Sequence, residues 1–216
     1  MRTPQKSFII LGALLAWFAV IMQFVLMMEN RVTPIPETIV RFFSFFTILT
    51  NTLIALYFTS MWLGRHTKLS QRFQRPGVVS AIAVYITVVG LVYQLVLRQI
   101  WEPQGLQKLV DELLHSVNPV YFVLYWYLYE EKAKLKWTLI PGWLIYPLLY
   151  LMYILIRGSF SGFYPYPFVN VAELGMRQVL LNSVGLMFVF IGFCALYIGI
   201  GKILTRTQKP QVFRSS

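Results

Sequence analysis

Long apolar runs recur along the chain, and they constrain its fold more than any other feature of the sequence. Each has about the 20 residues that a helix needs to cross the hydrocarbon core of a bilayer. The runs lie at about 7–28, 38–62, 77–97, 108–129, 137–156 and 178–202. The sequence therefore predicts an all-α membrane protein, a single bundle of six transmembrane helices without a separate soluble domain.

The composition excludes several other classes of protein. Only 12% of the 216 residues are charged and 57% are apolar. Soluble domains carry about 25% charged residues, so a chain with half that density could not cover a water-facing surface. The single cysteine excludes a disulfide-rich secreted scaffold. The length of the apolar runs excludes a soluble dinucleotide-binding enzyme.

The net charge of +11 would suggest a nucleic-acid partner in a soluble protein. Here the basic residues lie in the loops between apolar runs, which is typical of the positive-inside bias and of attraction to anionic lipid headgroups. No zinc-finger spacing or glycine-rich phosphate loop accompanies them. We therefore expect the bilayer, and no nucleic acid, as the partner of these charges.

The distribution of lysine and arginine predicts the orientation in the membrane. Thirteen of these residues fall on the side that holds both termini, and six fall on the other. Both termini should then be cytoplasmic, with the loops at about 29–37, 98–108 and 157–177 facing outward. The thirteen are Arg2, Lys6, Arg65, Lys68, Arg72, Arg75, Lys132, Lys134, Lys136, Lys202, Arg206, Lys209 and Arg214.

One histidine, His115, falls inside a predicted span, and an ionisable residue there is a functional candidate by default. On a helix, Asp111, His115 and Asn118 share one face. Asp111 or Glu112 could hold the imidazole in one tautomer, the usual arrangement for a catalytic base. The alternative is an interfacial histidine whose ring nitrogens are satisfied by water or a carbonyl.

A second polar cluster lies on the second predicted span and includes Thr47, Thr50 and Asn51. Hydroxyl residues are common in membrane helices as contacts between helices, which is the alternative to a functional role. A buried asparagine amide needs several partners and is harder to explain in this way. Thr47 should lie roughly 13 Å, and His115 roughly 10 Å, below the outer ends of their helices. A hydroxyl and an imidazole at similar depth meet the minimum requirement for nucleophilic catalysis.

Three short stretches carry a resemblance to known proteins: residues 46–51 (FTILTN), 113–115 (LLH) and 164–168 (YPYPF). Together with the six spans, they resemble an uncharacterised family of bacterial six-span proteins. That family is similar, more distantly, to the androgen-induced and androgen-dependent membrane hydrolases of animals. The resemblance covers nearly the whole chain in topology but only these stretches in residues. It implies the plasma (inner) membrane of a bacterium.

The resemblance also implies an activity, because the animal enzymes cleave fatty acid esters of hydroxy fatty acids with an intramembrane threonine and histidine. The histidine carries over to His115. The nucleophile falls on Thr47 if Thr50 replaces the asparagine three residues after the threonine, which we favour. It falls on Thr50 if Asn51 is the partner instead. Asn51 or Asn118 could donate a hydrogen bond to the oxyanion.

The resemblance therefore implies a threonine/histidine hydrolase of lipid esters that needs no metal or cofactor. Two histidines near opposite faces and one cysteine argue against a bis-histidine haem and a structural zinc site. Two alternatives stay open. One is a non-catalytic protein that binds or carries a lipid or small amphiphile in the same polar pocket, and the other is a purely structural membrane partner.

Overall fold

A computed structural model describes residues 3–64 and 67–207, and this part of the chain is helical with no strand. The predicted all-α class is confirmed for these residues. Short 3₁₀ turns join the helices at Leu97–Gln99, Lys132–Lys134, Trp137–Leu139 and Pro167–Val169. The α-helices are α1 (Thr3–Glu29), α2 (Ile35–Phe42), α3 (Phe46–Leu63), α4 (Lys68–Phe73), α5 (Val78–Leu95), α6 (Gly105–Glu112), α7 (Asn118–Tyr129), α8 (Ile140–Ser161) and α9 (Val171–Thr207).

Five helical stretches in the described residues are long and apolar enough to cross a membrane, one fewer than the sequence predicts. They are Thr3–Glu29, Phe46–Leu63, Val78–Gln99, Trp137–Ser161 and Val171–Arg206. The missing one is the fourth predicted span, 108–129, which the structure divides between α6 and α7. Among the basic residues behind the predicted orientation, Arg2, Arg65, Lys209 and Arg214 lie outside the described residues.

Helix α5 occupies the centre of the bundle, where it packs against α3, α7 and α9. In its most apolar window 67% of the residues are buried, compared with 17% for the stretch that contains α8 and 22% for α9. Helices α8 and α9 therefore leave many apolar side chains exposed on the outside of the bundle. Such a surface suits a surrounding of lipid rather than water.

The second predicted span, 38–62, is not one helix, because residues 43–45 separate α2 from α3. The Ser44 hydroxyl donates to the Val40 carbonyl at 2.7 Å. The Tyr150 hydroxyl of α8 donates to the Ser44 carbonyl at 2.8 Å and satisfies a group that a continuous helix would have paired. A contact from another helix thus stabilises the break, and no glycine or proline marks it in the sequence.

The helix that carries His115 contains a wide π-turn, Leu113–Val117, between α6 and α7. The N–H of Asn118 donates to the carbonyl five residues back rather than four. Pro119 follows, and a proline ring clashes with the carbonyl four residues before it in a regular α-helix. The wider turn relieves this clash. Helix α5 approaches the turn closely at Gly90, where a Cβ would lie 3.2 Å from the His115 carbonyl oxygen.

Candidate functional site

A wide cavity of about 710 Å³ lies at the end of the bundle where the connections after α1, after α5 and before α9 meet. Its volume falls within the range typical of pockets for small molecules, about 300–1,000 Å³. Thr47 and His115, the predicted catalytic pair, both line it. The other polar side chains in its wall include Gln23, Arg31, Arg41, Gln107 and Asp111, among many apolar ones.

The imidazole of His115 is held in one orientation. Its Nδ1 lies 2.9 Å from the Asp111 carbonyl oxygen and 3.3 Å from the Asp111 carboxylate Oδ1. The ring stacks on Tyr93 with the two centroids 4.1 Å apart. Both partners of Nδ1 are acceptors, so this nitrogen carries the proton. In the neutral imidazole Nε2 is then the proton acceptor, the role that a general base requires.

Glu112, the other predicted orienting carboxylate, has different partners. It forms a salt bridge with Arg98 and accepts a hydrogen bond from the Ser116 hydroxyl at 2.6 Å. Ser116 in turn accepts a hydrogen bond from Gln94 at 2.9 Å. This network ties the π-turn to the end of α5. The structure therefore places Asp111, and not Glu112, beside the imidazole.

Thr47 lies in the first turn of α3. The break between α2 and α3 places the N-terminus of α3, and Thr47 with it, inside the bundle. The Thr47 N–H donates to the Tyr166 hydroxyl at 3.3 Å, and Thr47 Oγ1 lies 3.4 Å from the same hydroxyl. Burial raises the pKa of Tyr166, so its hydroxyl stays protonated and can donate. Within the described part of the chain, no hydrogen bond joins Thr47 to His115, although both line the wide cavity.

The start of α3 also offers a hydrogen-bond donor next to Thr47. In a continuous helix the Ile48 N–H would bond the Ser44 carbonyl, but that carbonyl accepts from Tyr150 instead. Within the described residues, the Ile48 N–H forms no hydrogen bond to another backbone group. The positive end of the helix dipole lies at the same place. Backbone donors of this kind stabilise negative charge, and the sequence did not indicate them.

Thr50, the alternative nucleophile, faces a different part of the bundle. Its side chain is fully buried and its Oγ1 lies 3.5 Å from the Tyr146 hydroxyl of α8. Thr50 is not part of the wall of the wide cavity. Of the two predicted nucleophiles, Thr47 therefore shares the cavity with His115.

Asn51 and Asn118 form a buried link between the two catalytic candidates. The Asn51 amide donates to the Thr47 carbonyl at 2.9 Å and to the Leu114 carbonyl in the π-turn at 3.1 Å. Its oxygen accepts from the Asn118 amide at 2.8 Å. Both N–H groups of Asn51 are used in this way, which leaves no donor for an oxyanion. The link joins the first turn of α3 to the turn that holds His115.

Arg41, in the wall of the cavity, belongs to a charged cluster with Glu37 and Arg157. Glu37 Oε1 accepts from Arg41 Nε at 2.7 Å and from Arg157 Nη2 at 2.8 Å. The hydrogen bond from Arg41 and the contacts with Arg157 lower the pKa of Glu37 although burial opposes them. Both guanidinium groups lie over the Phe163 ring, at 4.5 and 4.9 Å from its centroid. The connection that carries Phe163 and Tyr166 is thereby tied to α2.

Comparisons of the chain with models of protein families, with curated proteins and with solved structures give no match. In residues 3–64 and 67–207, no group of three or more histidine, cysteine, aspartate or glutamate side chains is placed to hold a metal ion. The geometry of the cavity and the chemistry of its side chains are therefore the grounds on which a function can be proposed.

Proposed function

We propose that the wide cavity is the active site of an intramembrane hydrolase of lipid esters, with Thr47 as the nucleophile and His115 as the general base. One observation carries the proposal: the Thr47 hydroxyl and an imidazole held at Nδ1 by Asp111 line the same cavity. A nucleophile, a base and a residue that orients the base are the minimum set for covalent catalysis. The mixed polar and apolar wall suits a lipid with a polar part.

The same proposal includes six spans with both termini in the cytoplasm of a bacterium and the cavity opening outward from the plasma membrane. Helices α6 and α7, joined by the π-turn, would form the fourth span. In support, the chain is helical without interruption from Gly105 to Tyr129. That stretch has about the length that one crossing needs.

In the proposed reaction, His115 Nε2 takes the proton of the Thr47 hydroxyl while Thr47 Oγ1 attacks the ester carbonyl carbon. The tetrahedral intermediate collapses, and the alcohol leaves with the proton from His115. A water molecule, activated by the same imidazole, then hydrolyses the acyl-threonine ester, which releases the acid and restores Thr47. The Ile48 N–H and the Tyr166 hydroxyl would donate to the oxyanion. Such a donor contributes about 3 kcal/mol where its removal has been measured.

A second candidate function is the binding or transport of a lipid or small amphiphile without chemistry. The observation that favours it is the position of the Thr47 hydroxyl, which contacts Tyr166 rather than His115. The two functions differ in what they need from Thr47. A hydrolase needs its oxygen, whereas a binding protein would keep its affinity with a valine of the same shape.

Labelling of the detergent-purified full chain with a fluorophosphonate, followed by mass spectrometry, tests the hydrolase. We expect an adduct on Thr47 that is lost in His115→Ala and in Thr47→Val. Thr50→Val is the matched control and should keep the adduct. An adduct on Thr50, or none in protein that elutes as a single folded species, would reject the assignment. Lipid binding that survives Thr47→Val without any adduct would then favour the carrier.

A further inference from the structure

A second and smaller cavity, of about 70 Å³, lies on the other side of Thr47. We call it the apolar pocket. Its wall comes from the central helix and from α8 and α9, and it includes Val88, Val89, Leu151, Ser183 and Met187. Thr47 and Tyr166 line both this pocket and the wide cavity. The proposed nucleophile therefore lies in the wall between two compartments of different character.

The apolar pocket presents almost no polar group to a ligand. The Ser183 hydroxyl donates to the Val179 carbonyl at 2.7 Å. The Tyr150 hydroxyl, also in the wall, donates to the Ser44 carbonyl at 2.8 Å. Because both protons are used within the protein, the surface that remains suits alkyl groups.

The size of the pocket matches part of an alkyl chain. A cavity of about 70 Å³ has room for roughly two or three groups of the size of water or methylene, since each takes about 30 Å³. Its outer wall includes Leu151, Leu186 and Met187, which are only partly buried, on helices that carry many exposed apolar side chains. A longer chain can therefore continue between α8 and α9 toward the surrounding lipid.

The wide cavity has a mixed wall, in which polar side chains lie among apolar ones. It contains two arginines, and it contains the amide pair Gln107 and Gln23, joined by a hydrogen bond of 2.8 Å. It lies where the loops meet, which suits water and the polar part of a substrate. We infer that the apolar pocket binds the acyl chain of the ester, while the wide cavity holds the alcohol portion and the attacking water. This inference rests on the proposed hydrolase and specifies how its substrate is oriented at Thr47.

The division of the substrate can be tested with alkyl fluorophosphonates of increasing chain length. Ser183→Leu adds a branched side chain to the pocket and is remote from the proposed base. We expect the octyl-to-ethyl ratio of labelling rates to fall by about tenfold or more, since each methylene in an apolar pocket is worth roughly 1–3 kcal/mol. Ser183→Ala removes the same hydroxyl without filling the pocket, so its octyl-to-ethyl ratio should equal that of the wild-type protein. Gln107→Leu, in the wide cavity, should keep it as well.

The outcomes separate this inference from the hydrolase itself. Labelling of Thr47 with a ratio that Ser183→Leu does not change would keep the hydrolase and reject the acyl site. Complete lack of labelling would reject the hydrolase, and a second experiment then still tests the pocket. A fatty acid with a diazirine at its terminal carbon should cross-link to Leu151 or Met187 after irradiation. Cross-links confined to Trp101 or Gln107 would place the chain in the wide cavity and overturn the inference.

Discussion

The Asn51 side chain makes three hydrogen bonds inside the bundle, and its removal should affect both stability and the site. In Asn51→Leu, the Leu114 carbonyl and the Asn118 amide lose their partner. We expect the free energy of unfolding to fall by about 1–3 kcal/mol and the labelling of Thr47 to slow. Thermal unfolding in detergent and fluorophosphonate labelling measure the two effects. Gln178→Leu, which removes an exposed amide, is the control, and an equal loss in both variants would argue against the buried link.

Glu37 should make the stability of the protein depend on pH in the acidic range. Its pKa is lowered below the ordinary value of 4.5, first by the hydrogen bond from Arg41 and then by Arg157. A carboxylate with a lowered pKa stabilises the fold above its unfolded-state pKa, and this contribution is lost as the pH falls through the folded-state value. The melting temperature should therefore drop below about pH 4.5, and Glu37→Gln should flatten that part of the profile. An unchanged profile in this variant would place the acid sensitivity elsewhere.

At the scale of residues, the sequence identifies the side chains that can take part in catalysis. It predicts less well which of these side chains are in contact. The prediction that Asp111 lies beside His115 follows from their separation of four residues, and the structure places them in contact. The choice between Thr47 and Thr50 depends on which neighbour each one faces. Tyr166 contacts Thr47 across 119 residues of sequence, and no local pattern indicates such a contact.

Lys132 stabilises a whole helix, because its ammonium group caps the carboxyl end of α7. Nζ donates to the carbonyls of Trp126, Tyr127 and Glu130 at 3.2, 2.6 and 3.3 Å. A cation at this end also complements the helix dipole. Lys132→Met should lower the free energy of unfolding by about 1 kcal/mol, as measured by thermal unfolding in detergent. Lys134→Met removes an exposed cation nearby and should cost less, and an equal cost would reject the capping role.

At the scale of elements, apolar runs locate the helices but not their interruptions. The break at residues 43–45 is stabilised by the Tyr150 hydroxyl, which belongs to a helix about a hundred residues further along. The π-turn has a local cause in Pro119, yet a proline is equally compatible with a simple kink. These two irregularities position Thr47 and His115. The site was therefore harder to predict than the helices that carry it.

The orientation of the whole molecule can be tested with two introduced cysteines, since the natural Cys194 is fully buried. Val32→Cys lies in the connection after α1, where Val32 is 92% exposed. Lys134→Cys lies after α7, at an exposed lysine. If α6 and α7 form a span, three crossings separate the two positions. An impermeant maleimide should then label Val32→Cys in intact spheroplasts, and Lys134→Cys only after lysis. Labelling of both positions before lysis would mean that α6 and α7 do not cross the membrane. Labelling of Lys134→Cys in intact spheroplasts, and of Val32→Cys only after lysis, would mean that the orientation is the reverse of the predicted one.

The π-turn at Leu113–Val117 has a consequence for how this protein tolerates changes in chain length. Five residues there occupy a turn that four would complete in an α-helix. Removal of Val117, which is 40% exposed, would shorten the turn to the length of an α-helical one without rotating α7 against α6, while the proline that follows would then bend the helix there. A deletion elsewhere in the same helix would instead rotate every later side chain by about 100°, because an α-helix has 3.6 residues per turn. One residue can therefore be lost at this place without rotating the rest of the helix, but His115 would then no longer point where it does now.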